Sequence, residues 1–330
     1  MVNDRFEKYS HVVSHLILDF SVGFQEPEIS IMIPTYKRHH LLNRAINSIS
    51  NQVTGVNYEI VIVDNDGDGE FNTELMEVIS GFNNENIKYY RNAENIGMFG
   101  NWNRCIQLAR GNLICILNDD DYLKPDFIES ACNIIYSKQV RCVSFDIDYN
   151  DLRLGNEHVS NNDVVEKINA NKILTKNHLF FKNYINGSLG VVFEKNIAVE
   201  LGGFDEELFP ISDWDFWFRW VAKGNLILKI NQIGATYTIG FNESLKPEVI
   251  SKFSTMATKC RKTWVLERQV SNLYGLLVKP MGFFDNYSAH NSFDQNFKVK
   301  KLDKARVMCM YFFINYILNP IFDIMSRVRK

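Results

Sequence analysis

Along most of this chain, short runs of β-branched and aliphatic residues alternate with longer stretches in which apolar residues recur at helical spacing. From about residue 28 onward that alternation predicts a parallel sheet covered by helices. Residues 29–33 read as a first strand, and Leu41, Leu42, Ala45, Ile46 and Ile49 fall on one face of a following helix. Residues 58–63 form a second apolar run ending in Asp64, and 87–90 a third. Next come a helix over 97–109, a fourth strand over 113–117 and further strands over 140–147 and 190–193. Helices are predicted near 196–201 and from about Asp213.

Residues 150–177 are polar, rich in Asn and Asp and weakly periodic, so a long loop or lid is expected there. The division that results is a helical segment over 1–27, an α/β domain over 28–250 that divides near 150, and a helical region over 251–330. The final stretch, ARVMCMYFFINYILNPIFDIMSRVRK, is interrupted by Asn315, Asn319, Pro320 and Asp323. A membrane-spanning helix needs about 20 mostly apolar residues. This stretch suits packing on the core or lying on a membrane surface better than crossing one.

Composition narrows the class. With 330 residues and 46% hydrophobic content the chain can bury a large core. Its 36 basic and 39 acidic residues give a net charge of -3, with no bias toward nucleic acid, so any anionic ligand has to be handled locally. Cys105, Cys115, Cys132, Cys142, Cys260 and Cys309 lie in apolar stretches without zinc-type spacing and read as reduced core residues. The N-terminus lacks the layout of a secretory signal, which points to the cytoplasm.

Polar residues collect where predicted strands stop, the place where open α/β sheets bind ligands. The sharpest cluster is LNDDDYLKPD: Asn118, Asp119, Asp120 and Asp121 follow a buried strand. Adjacent carboxylates repel one another unless a cation joins them, and a hard divalent ion with oxygen ligands is the natural choice, so this acidic run is a candidate metal site. A capped turn before Pro125 is the plainer alternative. Pro34, Thr35, Tyr36, Lys37 and Arg38 end the first strand, where backbone and an aromatic ring can hold a base. Asp64 and Asp66 end the second strand, where a carboxylate can accept from a nucleoside base or ribose, or simply make a turn. In NAENIGMFGNWNRC, Gly97, Gly100 and Asn101 open a helix, suited to close approach of a polar ligand or to ordinary capping. In GGFDEELFPISDWDFWFRW, Gly202 and Gly203 make a turn, and Asp213 and Asp215 stand among Trp214, Trp217 and Trp220. Aromatic rings beside carboxylates suit sugar binding, and Asp213 is placed to accept a hydroxyl proton. Helix capping and core packing explain the same residues without chemistry.

Taken in order, PTYKR, VDND, the Asn-Ile-Gly stretch with its following asparagine, NDDD, and GGFDEEL with SDWD closely resemble the family 2 glycosyltransferases, inverting enzymes of the GT-A fold. The resemblance spans about residues 29–240 and implies a catalytic domain over 28–250, with a donor half over 28–150 and an acceptor half over 151–250. It implies a Rossmann-like mixed sheet flanked by helices, with a nucleotide pocket from Pro34, Thr35, Tyr36, Arg38, Asp64 and Asp119 that Gly97 and Asn101 help to close. It also implies a Mn²⁺ or Mg²⁺ ion at Asp120 with Asp121 on the acidic edge, Asp213 as catalytic base, and Gly203, Trp214 and Asp215 on the acceptor side. Expected partners are a nucleotide-sugar donor, most naturally a UDP-sugar, and a glycan or lipid-linked glycan acceptor of surface-polysaccharide type. Peripheral membrane contact would run through the C-terminus. Three departures stand out: Asn118 replaces a frequent aspartate, Ser212 the usual glutamate, and Gly240 a frequent histidine. The missing histidine leaves a metal ligand unassigned. No QxxRW follows Asp213, which argues against a processive synthase. A dinucleotide oxidoreductase lacks its early GxGxxG here. A non-catalytic sugar- or nucleotide-binding subunit on the same fold is the remaining alternative.

Overall fold

The computed structural model describes residues 4–21, 23, 25–67, 73–82, 86–154, 159–160, 171–185, 187–240, 242, 246–267, 269–293 and 301–328. Its strands are β1 (Ser14–Asp19), β2 (Ile29–Thr35), β3 (Tyr58–Asp64), β4 (Ile87–Asn92), β5 (Leu113–Ile116), β6 (Tyr122–Leu123), β7 (Cys142–Asp151), β8 (Val159–Ser160), β9 (Lys172–Leu174), β10 (Val191–Glu194) and β11 (Ile227–Ile239). Its helices are α1 (Leu42–Ser50), α2 (Thr73–Ser80), α3 (Gly97–Leu108), α4 (Phe127–Lys138), α5 (Lys176–Phe181), α6 (Lys195–Glu200), α7 (Ser212–Ala222), α8 (Pro247–Leu266), α9 (Val278–Phe293), α10 (Lys301–Phe312) and α11 (Asn319–Val328).

One mixed sheet runs in the order β1-β4-β3-β2-β5-β10-β7-β11-β6, with β8 on β7 and β9 on β11. The run β4-β3-β2-β5 is parallel, and its strands are apolar on both faces because helices cover both. From β2 the chain winds one way to β3 and β4, then returns to place β5 on the other side of β2. That reversal opens a crevice at the carboxyl ends of β2 and β5. Ile46, Ile79, Phe127 and Ile135 seal one face; Phe99, Trp102, Phe180, Phe204, Trp217 and Trp220 seal the other. Because β10 runs antiparallel to β5, with Phe193 opposite Ile114, the start of β10 lies at the same edge as the end of β5.

The expected elements between 29 and 147 form, and several others were not foreseen. The expected helical segment over 1–27 is instead a short 3-10 turn, Glu7–Tyr9, and the edge strand β1 paired antiparallel to β4. A strand at that edge completes β4's unpaired backbone, a tertiary gain that local patterning does not carry. The 150–177 stretch is partly ordered as the end of β7, β8, β9 and the start of α5; the rest of it, over 155–158 and 161–170, lies outside the described residues. Five cysteines are buried as expected, but Cys309 is exposed on α10. Past residue 247 the described chain is helical, and among the described residues no helix is long and apolar enough to cross a membrane.

Candidate active site

Adjacent strand ends gather the polar segments. Thr35 sits in register with Asp64 across β2 and β3, and Thr35 Oγ1 donates to Asp119 Oδ2 over 2.8 Å, stitching the PTYKR turn to the acidic cluster after β5. Tyr36 is exposed at this rim, while Lys37 adopts a left-handed φ of 55° and lays its ammonium 5.2 Å from the Tyr36 ring. Arg38 turns inward, pairing with Asp119 and reaching Asp120 Oδ2 at 3.0 Å.

The three adjacent aspartates do not act alike. Asp119 is fully buried, and desolvation pushes its acid up to about 6 against the pull of Arg38. Asp120 keeps a partly accessible carboxylate, held by Arg38 and by Asn242 Nδ2 at 3.1 Å, while Arg44 donates to its backbone carbonyl and to Thr238 Oγ1 at 2.7 Å. Asp121 points inward: it accepts from Thr238 N at 2.8 Å and Asn118 Nδ2 at 3.1 Å, and burial drives its acid well above the ordinary value. In this structure Asp121 braces the acidic turn against β11, with both carboxylate oxygens engaged. Among the described residues no cage of three or more carboxylate, His or Cys side chains forms. The donor set still fits a hard divalent cation in the form that uses one or two carboxylates, with phosphate and water oxygens completing the shell. Asp120 supplies the accessible oxygen, beside Asp119.

Asp64 is 2% exposed and already engaged by Tyr89 OH at 2.9 Å, His39 Nε2 at 3.0 Å and the amide of Asp66 at 3.0 Å. The Asp64 carboxylate raises the pKa of His39. Beside it an asparagine network closes the crevice. Asn65 donates to Asn95 Oδ1 (2.8 Å) and Gly97 O (3.2 Å), and accepts from Asn92 (2.9 Å) and the amide of Ile96 (3.1 Å). Asn101 spends its amide on Val63 O and its oxygen on Asn92, both at 2.9 Å, so it ties α3 to β3 rather than facing a ligand. Gly97, with φ +75°, makes the turn that lets Asn65 reach its carbonyl. Arg104 is buried and holds the N-terminal segment through Val12 O, Tyr9 O and Ser14 Oγ.

At the other flank, Asp213 stands in the first turn of α7, one residue inside Ser212, so it is not the helix cap. Asn183 Nδ2 donates to it at 3.2 Å, and the amides of Trp214 and Gly187 also stabilise its charge. Desolvation outweighs them and raises its acid to about 6. Gly187 precedes β10, whose start lies beside the end of β5, which brings Asp213 to the sheet edge that carries Asp120. The residues expected on the acceptor side, Trp214, Asp215 and Gly203, are engaged within the protein. Trp214 is 2% exposed, donates to Leu179 O at 2.7 Å and stacks on Phe253; Asp215 pairs with Arg219 at 2.7 Å, one helical turn on. Gly203 has φ +73°, its carbonyl takes Arg219 at 2.7 Å, and a Cβ there would meet Asn103 Oδ1 at 2.4 Å, so it is a packing glycine.

His39, Arg44, Tyr89, Asn183, Thr238 and Asn242 join the site without having been singled out from sequence. Only His39, directly after PTYKR, carried a positional signal. Asn183 and Asn242 sit in polar stretches and reach the site only by folding back to it.

Comparison with known proteins agrees with this architecture. A family model described as glycosyl transferase family 2 matches residues 30–198. The uncharacterized protein MT1568 of Mycobacterium tuberculosis is 27% identical over 212 residues, covering 62% of this chain and 65% of its own length. The chain thus spans just under two thirds of that relative. WfgD of Escherichia coli, named as a UDP-Glc:alpha-D-GlcNAc-diphosphoundecaprenol beta-1,3-glucosyltransferase, is 27% identical over 208 residues, 63% of this chain and 72% of WfgD. The crystal structure of S. aureus TarS 1-349 in complex with UDP-GlcNAc superposes with a TM-score of 0.61 at 16% identity, over 86% of this chain and 79% of that one. The chain belongs to glycosyl transferase family 2, its family domain carried on a mixed, helix-flanked sheet of the GT-A type.

Proposed function

We propose that this protein transfers a sugar from a UDP-sugar to a hydroxyl of a glycan or lipid-linked glycan, in one in-line displacement that inverts the anomeric centre, with Asp213 as base. The observation that carries the reading is a carboxylate at about pKa 6, surrounded by uncharged donors, at the same sheet edge as the partly open Asp120. A base in that range is ionised at neutral pH and still takes a proton as bonding to the sugar develops. Tyr36 and the Asp64 rim suit a nucleoside, and Arg38 suits its phosphates once it leaves Asp119 and Asp120. A Mn²⁺ or Mg²⁺ ion held by Asp120, with Asp119 beside it, would supply charge neutralisation on the departing diphosphate. UDP as the nucleotide is supported by the names of WfgD and the TarS complex, which concern those proteins. Gly97 and Asn101 serve the donor pocket by shaping its wall.

The test is release of UDP from a panel of UDP-sugars with Mn²⁺, Mg²⁺ or chelator, comparing the native protein with Asp120→Ala. Turnover of one donor only with metal, lost in the variant, is the expected result. Donor binding without any release or transfer, across metals and a panel of glycan acceptors, would instead favour the non-catalytic subunit.

We also place the working protein against the cytoplasmic face of a membrane. Met308, Phe312, Tyr316 and Ile324 are exposed on one continuous helical stretch, whose sequence is flanked by Lys300, Lys301, Lys304 and Arg306 on one side and Arg327, Arg329 and Lys330 on the other.

A further inference from the structure

We infer that the C-terminal helix α11 positions the catalytic base: Asn319 and Asp323 grip the loop whose donors orient Asp213. The inference rests on Asp213 being the base. Of the four donors to that carboxylate, two come from just before β10, the Asn183 side chain and the Gly187 amide; the other two are the amides of Trp214 and of Asp213 itself. None of the four carries charge. The Asn183 amide has its orientation fixed, since its oxygen takes the Ile185 amide at 3.1 Å and so its NH₂ must face Asp213. What holds the loop is a second matter, because 182–185 belongs to neither helix nor strand.

The C-terminal helix supplies the hold. Asn319 Nδ2 donates to Tyr184 OH at 2.5 Å and to Asn315 Oδ1 at 3.1 Å, and the Tyr184 ring is flanked by the ammonium groups of Lys172 and Lys182, each 5.4 Å from its centroid. One turn further on, His178 Nε2 meets Asp323 Oδ1 at 3.1 Å, and the other Asp323 oxygen meets Lys172 Nζ at 3.3 Å. His178 Nδ1 accepts the Thr175 amide at 3.2 Å, which leaves the proton on Nε2 to be donated to Asp323. Phe322, between the two grips, stacks on Phe181 at 5.7 Å and meets the edge of His178 at 5.5 Å. One face of α11 is thus spent on residues 172–184, immediately before the loop that touches the base. Freed from that face, Asn183 loses its fixed approach to Asp213, and the carboxylate loses one of the donors that stabilise its charge.

The experiment uses the full chain labelled with ¹³C at aspartate carboxyls, with the Asp213 signal assigned by its disappearance in Asp213→Asn. Native Asp213 is expected to titrate near 6. Asn183→Leu should raise that midpoint by at least about half a unit through loss of one donor. Asn319→Ala and Asp323→Asn should raise it in the same direction, with Asp323→Glu restoring it. Affinity for UDP should stay native. Clamp variants that melt with the native protein yet leave the Asp213 midpoint unchanged, or move it the opposite way, would overturn the inference. If Asn319→Ala unfolds, Asp323→Asn decides, since it keeps the shape and removes the charge. The titration needs no turnover, so the two readings fail separately: sugar transfer surviving in Asp213→Asn sinks the base assignment, and an unmoved midpoint sinks the clamp.

Discussion

Asp213 and its neighbour Trp214 show how one residue of sequence separates a side chain at the sheet edge from one in the core. Both stand in the first turn of α7, yet the helix's 100° step per residue turns Trp214 into the core against Phe253 while Asp213 faces the sheet edge. The raised acid of Asp213 fixes the sign of its pH response. Burial lifts it from 3.8 to about 6, so below that pH the carboxyl keeps its own proton and cannot take one from an acceptor hydroxyl. Transfer is expected to rise with pH through about 6 and then level, read from initial rates at saturating donor. Asp213→Asn should lower transfer by roughly 10²–10⁴-fold while UDP binding holds. A variant with native rates would remove Asp213 from the mechanism. From sequence alone Asp120 and Asp121 looked equivalent, and only the fold turns one to the rim and the other to Thr238.

Among the elements, β3 and α3 depend on one side chain lying between them. Asn65 directly follows β3 and serves four partners, including the amide of Ile96 at the entry to α3, with Asn92 and Asn95 completing the set. Asn65, Asn92 and the Ile96 amide are buried, so removing the hub strands those two partners without water, while Asn95 and Gly97 can turn to solvent. Asn65→Ala is expected to lower unfolding free energy by about 1–3 kcal/mol in urea titrations, the cost of leaving such groups unpaired. A change within error would mean that water replaces the hub. Apart from the two-residue β6, the strands and helices between 29 and 147 were legible because their apolar period is strong and each is closed by turn residues. β1, β6 and β9 were not: they are short or half-polar, and pairing with β4 and β11 stabilises them rather than their own pattern.

The whole molecule joins a sheet whose crevice faces one edge to a C-terminal helical arm that presents one stripe inward and another outward. Ile314, Asn319 and Phe322 are buried against the core, while Met308, Phe312, Tyr316 and Ile324 remain exposed. The sequence left packing and surface attachment as alternatives; the inward stripe accounts for the first and leaves the outward one available for the second. Vesicles rich in phosphatidylglycerol should co-sediment the native protein at low salt, and a Met308→Ser, Phe312→Ser, Tyr316→Ser variant should remain in the supernatant. Equal recovery of both proteins with the vesicles would dismiss this stripe as the contact.

The order of strands and helices, the placing of polar segments at strand ends, and the family were settled by local information: periodicity, turn residues, and motifs that each lie within a few residues of chain. How those polar residues are engaged within the protein was decided by contacts distant in sequence. Asn242 reaches Asp120 across 122 residues, Asn183 reaches Asp213 across 30, and Asn319 reaches Tyr184 across 135. A side chain's chemistry is written in its identity, but its exposure, its hydrogen-bond partners and the pKa that follows belong to neighbours that only folding brings within a few ångströms.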